Sequence, residues 1–106
     1  MLRAMFLVVF RSRKRADIDR AAYDRQASAM EALAAAQPGY LSFKSFAADD
    51  GEAVAISEWD SEEAALAWRR VAGHAKAQTD GRTRWYAEYT MYAADAPRIH
   101  RFEANG

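Results

Sequence analysis

The sequence predicts an α+β fold in which strands and helices follow one another in the order βαββαβ. Four short segments are rich in β-branched and aromatic residues, as strands are. Two segments between them repeat apolar residues at the spacing of a helix. The length of 106 residues allows one domain. This order is the ferredoxin-like arrangement, in which two helices cover one face of an antiparallel sheet.

The first predicted strand is residues 4–10, which read Ala-Met-Phe-Leu-Val-Val-Phe and are apolar on both faces. The basic residues 11–15 follow it. They could form a phosphate-binding patch, but no glycine-rich segment lies beside them. We therefore interpret residues 11–15 as a solvated loop.

The first predicted helix begins after Asp17 or Asp19 and runs to about Ala36. A short acidic side chain at this position accepts hydrogen bonds from the free amides of the first turn. Pro38 disfavours helical geometry before it, and Gly39 permits the turn that follows. The apolar stripe of this helix comprises Tyr23, Ala27, Met30 and Ala34.

Residues 40–47 and 53–59 are predicted to be the two strands of a hairpin. The segment between them, residues 48–52, contains Asp-Gly, which is a strong turn signal. The second helix then starts at Asp60 or Ser61, with two glutamates in its first turn.

Glycines divide the rest of the chain. Gly73 is expected to break or kink the second helix and Gly81 to end it, so that residues 82–92 form the last strand. We expect one domain over residues 1–95 and a loose tail over residues 96–106. The predicted buried stripe of the second helix comprises Ala64, Trp68, Val71 and Ala75.

The predicted sheet is apolar on both faces, although two helices can cover only one. On the second strand, strict alternation places Leu41 and Phe43 on one side and Tyr40 and Phe46 on the other. On the fourth strand, it places Trp85, Tyr89 and Met91 on one side and Tyr86 and Tyr92 on the other. An apolar face of this size is unfavourable in water. We therefore expect a homodimer in which the sheets of two copies face each other.

Composition bears on location and partners. Fifteen basic residues balance fifteen acidic residues, which argues against a nucleic-acid or anionic-membrane partner. The chain has no cysteine, and therefore neither disulfides nor thiol catalysis. It has no apolar run of membrane-spanning length, and its start lacks the features of a signal peptide. The sequence predicts a cytoplasmic protein.

His74 and Glu58 are the candidate catalytic residues. Histidine titrates near neutral pH, and His74 follows the glycine at which the helix is expected to bend. Glu58 alternates with Val54 and Ile56 and shares their face, where burial would favour a general base. The structural alternatives are a backbone-bonded His74, and a Glu58 that is open to water or paired across the dimer with an arginine such as Arg82 or Arg84. No metal site is expected, since ligand residues at usable spacing are absent.

Four aromatic residues are candidates for substrate binding, because a flat substrate can stack on their rings. Trp85 and Tyr86 are adjacent and are expected to point to opposite faces. Core packing is the alternative role, and it is favoured for Trp68 at the centre of its stripe. The candidates are Trp59, Trp68, Trp85 and Tyr86.

Several motifs together resemble the antibiotic biosynthesis monooxygenase domain family. The most specific is Ile-Ser-Glu-Trp-Asp-Ser-Glu-Glu-Ala at residues 56–64, followed by Trp68, His74 and Gly81-Arg82. Gln-Pro-Gly-Tyr at residues 37–40 fits as well. The resemblance implies a dimeric α+β barrel with a pocket between the helices and the sheet. It also implies that no cofactor is needed where such proteins oxygenate aromatic polyketides.

These observations leave three hypotheses about function. The first is a cofactor-independent monooxygenase acting on a small electron-rich aromatic molecule such as a hydroquinone or an anthrone. The alternative is a non-catalytic dimeric module that binds a small apolar ligand. The third is a nucleic-acid binder of the same topology, which is the least supported because residues 53–59 lack aromatic residues in a basic setting. Among the enzyme readings, haem degradation is poorly supported, because the resemblance implies an asparagine on the first strand and a histidine where this chain has Gln78.

Overall fold

The computed structural model describes residues 4–105, apart from the side chains of residues 72–74, and it confirms the α+β ferredoxin-like fold. The four strands form one open antiparallel sheet in the order β2-β3-β1-β4. Helices pack against one face only. The elements are β1 (Phe6–Lys14), α1 (Arg20–Ala35), β2 (Tyr40–Ala47), β3 (Glu52–Trp59), α2 (Glu62–Arg69), α3 (Ala72–Asp80), a π-helical turn (Gly81–Trp85) and β4 (Tyr86–Asp95). None of the described helices is long and apolar enough to cross a membrane.

Two side-chain caps decide where the first two helices begin. The Oδ1 atom of Asp19 accepts from the amide of Ala22 at 3.1 Å. The Oγ atom of Ser61 accepts from the amide of Ala64 at the same distance. Each cap satisfies an amide that has no partner within its helix. The helix starts therefore depend on Asp19 and Ser61 rather than on Asp17 and Asp60.

The second predicted helix is two helices. The break lies at Arg70 and Val71, before the predicted position, because the amides of both residues bond back to α2 carbonyls three residues earlier and close that helix. Gly73 lies inside α3 rather than at the break. The predicted break or kink is thus a break, and it lies two residues before Gly73.

The last strand begins four residues later than predicted. Gly81–Trp85 forms a π-helical turn, and β4 starts at Tyr86. The guanidinium of Arg15 donates to the carbonyls of Arg82 at 2.7 Å and Tyr86 at 3.1 Å. These bonds satisfy one carbonyl of the turn and one of the first residue of β4, and so tie both to the end of β1.

The core lies between the helices and the centre of the sheet. Phe6 of β1 is paired with Trp59 of β3, and both side chains are buried. Ala34 of α1 and Ala65 of α2 complete the buried cluster. Small side chains on the helices let both approach the sheet closely.

Two β-bulges change which residues share a face. In β2, Tyr40 pairs with Trp59 but Ser42 pairs with Glu58, so that Leu41 is an extra residue. Tyr40 and Phe43 therefore share the helix side, whereas Phe46 lies on the opposite face. Strict alternation groups Leu41 with Phe43 and Tyr40 with Phe46, and the bulge makes that grouping wrong.

The second bulge lies where β1 meets β4. Arg13 pairs with Glu88 but Lys14 pairs with Tyr86. The bulge brings Tyr86 to the helix side, where its ring contacts Phe10. The prediction that Tyr86 and Tyr89 lie on opposite faces is therefore wrong.

The face opposite the helices is apolar at its centre and charged at one end. Phe46 and Tyr92 are 50% and 51% exposed on this face. Arg11 pairs with Glu52 at 3.0 Å and Arg13 with Asp50 at 2.9 Å. We call it the open face, and its apolar members are Leu7, Val9, Phe46, Val54, Ile56 and Tyr92.

Candidate functional site

Five aromatic rings on the helix side form a group at the β4 end of the sheet, which we call the β4 cluster: Phe10, Tyr23, Trp85, Tyr86 and Tyr89. The centroid of Phe10 lies 5.1 Å from that of Tyr89 and 5.3 Å from that of Tyr86. Tyr23 of α1 meets Trp85 and Tyr86 edge-to-face at 5.7 and 6.2 Å. These separations are typical of favourable aromatic pairs.

The helices leave part of this cluster open. Tyr89 is 40% exposed, and its neighbour on the same face, Met91, is 42% exposed. Both lie on the face of β4 that shares the helix side with Phe10. The sheet therefore presents a half-covered aromatic surface on which a flat ring can stack.

Two phenol hydroxyls meet within the cluster. The Oη atoms of Tyr23 and Tyr86 are 3.3 Å apart, and either hydroxyl can be the donor. Burial raises the pKa of the Tyr86 phenol well above its ordinary value, and the hydrogen bond with Tyr23 raises it further. Tyr86 is therefore protonated at neutral pH and available as a hydrogen-bond donor rather than as a base.

A polar bridge fixes the back of the cluster. Trp85 donates from Nε1 to Oε1 of Gln26 at 2.8 Å, and Gln26 donates from Nε2 to Oδ2 of Asp80 at 2.8 Å. Lys76 also donates to Oδ2 of Asp80 at 2.8 Å. The hydrogen bonds from Lys76 and Gln26 hold the pKa of Asp80 below its usual range. The bridge joins α1, α3 and the π-helical turn, and so holds the rings of Trp85 and Tyr23 in place.

The other two tryptophans lie at the opposite end of the helix side. Trp59 and Trp68 stack at 6.2 Å with an interplanar angle of 24°. Trp59 is 1% exposed, and its Nε1 donates to Oγ of Ser57 at 3.2 Å. Trp68 is half-buried and forms part of a surface cleft. Trp59 is thus a core residue, and Trp68 is the member of the pair that a ligand can reach.

The cleft beside Trp68 is open and has a volume of about 320 Å³. Gly39 at its base has a φ of +83°, and a Cβ there would lie 2.5 Å from the Cβ of Ala64. The close approach of this turn to α2 shapes the cleft. Its lining comprises Gln37, Pro38, Gly39, Asp60, Ser61, Glu63, Ala64, Ala67 and Trp68.

Glu58 is separated from all of these groups. It shares the open face with Ile56, as predicted, but the helices pack on the other side of the sheet. Its Oε1 accepts from Oγ of Ser42 at 2.5 Å within the same chain. A pairing with an arginine across a dimer stays a prediction. Glu58 and Trp59 therefore point to opposite faces of the sheet, as neighbouring residues of a regular strand do. The catalytic role of Glu58 stays a prediction.

The predicted aromatic residues fall into two pairs, of which Trp59 and Trp68 are the pair described above. Trp85 and Tyr86 lie together in the β4 cluster, and both contact Tyr23 of α1. The predicted placement of Trp85 and Tyr86 on opposite faces is wrong, because Trp85 ends the π-helical turn rather than lying in β4. The side chain of His74 lies outside the described residues, and its role as base stays a prediction.

Sequence reasoning missed the polar members of this region. Tyr23 was assigned to the core stripe, and Gln26 and Asp80 received no role. One signal was present: Gln26 follows Tyr23 by three residues and so lies on the same helix face. A polar side chain beside an apolar stripe is a reason to look for a buried partner.

Comparison with known proteins identifies the family. The family model described as antibiotic biosynthesis monooxygenase matches residues 5–80. The chain belongs to this family. YqjZ of Bacillus subtilis strain 168, described as an uncharacterized protein, is 37% identical over 83 residues, which are 78% of this chain and 73% of YqjZ.

Solved structures of similar proteins share the family's fold. Rv0793 from Mycobacterium tuberculosis has a TM-score of 0.78 and 21% identity, covering 91% of this chain and 97% of Rv0793. A mutant of SnoaB from Streptomyces nogalater, described as a cofactor-independent oxygenase, has a TM-score of 0.74 and 18% identity, covering 90% of this chain and 95% of SnoaB. At these identities the likeness shows the fold alone.

Proposed function

We propose that this chain is a cofactor-independent monooxygenase that acts on a small electron-rich aromatic molecule resembling a hydroquinone or an anthrone. The observation that carries the proposal is the β4 cluster, an aromatic surface with a phenol donor at its centre. Membership in the monooxygenase family supports it, and so does the described activity of SnoaB.

The substrate supplies the electrons in this chemistry. An anthrone loses a ring CH₂ proton to a base, and the resulting delocalised anion reduces dioxygen to a peroxide on the same carbon. The peroxide then collapses to a ketone and water. One oxygen atom enters the product and the other leaves as water, so that CH₂ and O₂ become C=O and H₂O.

The cluster has two roles in this scheme. The rings of Phe10 and Tyr89 stack on the substrate and keep water from its reacting face. The hydroxyl of Tyr86 donates to the substrate oxygen on which negative charge develops, as a donor in an oxyanion hole does. Its raised pKa suits this role, because a neutral phenol keeps its proton throughout the reaction.

His74 is proposed as the base, since it lies in α3, the helix that the polar bridge of Asp80 joins to the cluster. Histidine has the pKa that deprotonation near neutral pH requires. Replacing the true base lowers turnover by roughly 10²–10⁴-fold. His74→Ala tests the assignment, and full activity of that variant toward a verified substrate would exclude His74.

The active form is proposed to be a homodimer. Two copies that meet through the open face would cover Phe46, Tyr92 and Ile56, which a single copy leaves partly in water. The helix sides, with their β4 clusters, would remain on the outside of the dimer. Each copy would then carry its own site.

Dioxygen uptake tests the proposed activity. The pure protein is mixed with a panel of hydroquinones and anthrones, and consumption is compared with the rate without protein. Tyr86→Phe should lower turnover by about 10²-fold, as loss of one oxyanion donor does. Tyr92→Phe removes the phenol hydroxyl of a tyrosine on the open face and should leave turnover unchanged. Tight binding of these compounds without oxygen uptake would instead indicate the ligand-binding module.

A further inference from the structure

A lysine lies at the edge of the β4 cluster. Lys14 is the last residue of β1 and pairs with Tyr86, on the helix side of the sheet. Its Nζ atom lies 4.7 Å from the centroid of the Tyr23 ring. A cation at this distance over a tyrosine ring is attracted to its face. This attraction holds Lys14 beside the ring of Tyr23, whose hydroxyl is hydrogen-bonded to the hydroxyl of Tyr86.

Lys14 has no carboxylate partner among the residues that the structure describes. The neighbouring Arg15 is engaged with backbone carbonyls of Arg82 and Tyr86 rather than with an acid. Three carboxylates, on α1, α3 and β4, already pair with other cations. These pairs are Asp80 with Lys76 at 2.8 Å, Asp24 with Arg20 at 3.6 Å and Glu88 with Arg13 at 3.8 Å.

The site therefore combines an aromatic surface with a positive charge that contacts no acid. A neutral aromatic ligand would use only the rings. A ligand with a negatively charged substituent would use both, because a charge-assisted hydrogen bond from Lys14 adds to stacking. The charge of the site is thus complementary to an aromatic anion.

We propose that Lys14 is a specificity-determining residue and that the substrate is a hydroxylated aromatic molecule with an anionic substituent such as a carboxylate. This inference rests on the proposed function and narrows its substrate class. The ring lies over Phe10 and Tyr89, the phenol oxygen accepts from Tyr86, and the anionic group binds the ammonium of Lys14. Lys14 selects the ligand and takes no part in the chemical step.

Binding of two matched probes tests the inference without turnover. 1-Hydroxy-2-naphthoate and 1-naphthol have the same ring and hydroxyl and differ by one carboxylate. Isothermal titration of the wild-type protein should show tighter binding of the naphthoate, by roughly 3–10-fold for a half-exposed ion pair. Added salt should reduce this preference, because salt screens the charge.

Variants assign the preference to Lys14. Lys14→Met keeps most of the aliphatic stem and should abolish the preference, whereas its affinity for 1-naphthol should be unchanged. Lys14→Arg should restore the preference. Lys44→Met is the matched control, because the Nζ atom of Lys44 lies 5.4 Å from the ring of Phe46 on the open face. It should bind both probes as the wild type does.

Several outcomes would overturn the inference. They are equal binding of the two probes by the wild type, no binding of either, or a naphthoate preference that survives in Lys14→Met. A preference that depends on Lys14, without oxygen uptake by any aromatic anion, would instead refute the proposed oxygenase activity and leave the anion site standing.

Discussion

At the scale of single residues, Trp59 and Tyr86 show how position in the sheet decides what an aromatic side chain does. Trp59 pairs with Phe6 at the centre of the core, and its indole N–H is satisfied by Ser57. Tyr86 lies beside the open end of the helix side, with its hydroxyl against that of Tyr23. The first residue stabilises the fold, whereas the second is proposed to contact a ligand.

Replacing Trp59 should therefore cost more stability than replacing Trp68. Trp59→Ala removes a fully buried ring and should lower the free energy of unfolding by about 3–5 kcal/mol. Trp68→Ala should cost clearly less, because Trp68 is half-buried at the wall of the cleft. Urea titrations of both variants measure the difference. Equal losses would mean that the two rings are equally buried.

Tyr86 should make stability depend on pH in the alkaline range. Its pKa is raised in the folded protein, so above about pH 10 the unfolded chain loses the phenol proton before the folded chain does. The stabilisation is complete below the unfolded pKa and falls as pH rises through it. The free energy of unfolding should thus decline above about pH 10, and less steeply in Tyr86→Phe. Identical alkaline profiles would contradict the burial of this phenol.

At the scale of elements, the turn between α1 and β2 sets how closely β2 approaches α2. Gly39 has a positive φ, and an added Cβ would meet both the Cβ of Ala64 and a carboxylate oxygen of Asp60, at 2.6 Å. Gly51, in the β2–β3 hairpin, also has a positive φ, but its nearest neighbour is Nη1 of Arg13 at 4.0 Å. A side chain at either glycine would incur backbone strain, but only a side chain at Gly39 would also meet a steric clash.

Gly39→Ala should destabilise the protein more than Gly51→Ala. Both substitutions incur the strain of a left-handed residue, which is about 1–2 kcal/mol. Gly39→Ala adds overpacking, which costs about 1–3 kcal/mol more. Melting temperatures of the two variants measure the excess. An equal effect would show that the turn can move away from Ala64.

The order of elements could be predicted from the sequence because each has its own local signal. Asp19, Ser61 and the Asp-Gly turn act within a few residues of themselves. The bulge at Leu41 and the π-helical turn before Tyr86 could not be predicted in this way. The bulge shifts the pairing of β2 by one residue without a signal in composition. The turn is held by contacts with groups distant in sequence, Arg15 and Gln26.

The helix-covered face could not be chosen from the sequence either. Glu58 was correctly grouped with Ile56, but strands that are apolar on both faces do not indicate which face the helices cover. Which side chains can form the candidate site depends on which face of the sheet the helices cover. The candidate site also depends on Tyr23, which lies 63 residues from Tyr86 in the chain.

At the scale of the whole molecule, the open face predicts a homodimer. Light scattering at micromolar concentration should give twice the 11.9 kDa mass of one chain. Ile56→Asp places a charge on this face and should shift the protein to a monomer. Arg25→Asp, on the exposed side of α1, is the control and should leave the dimer intact. A folded wild-type monomer would contradict the proposed pairing of sheets.

We expect the protein to oxygenate an electron-rich aromatic molecule with dioxygen alone. The most direct test is a reaction of the pure protein with an anthrone under ¹⁸O₂, without added metal, flavin or haem, followed by mass spectrometry of the product. The expected product carries one ¹⁸O atom in the new ketone and forms well above the rate of the same mixture without protein. An unlabelled product, or a rate equal to that of the protein-free mixture, would contradict this expectation.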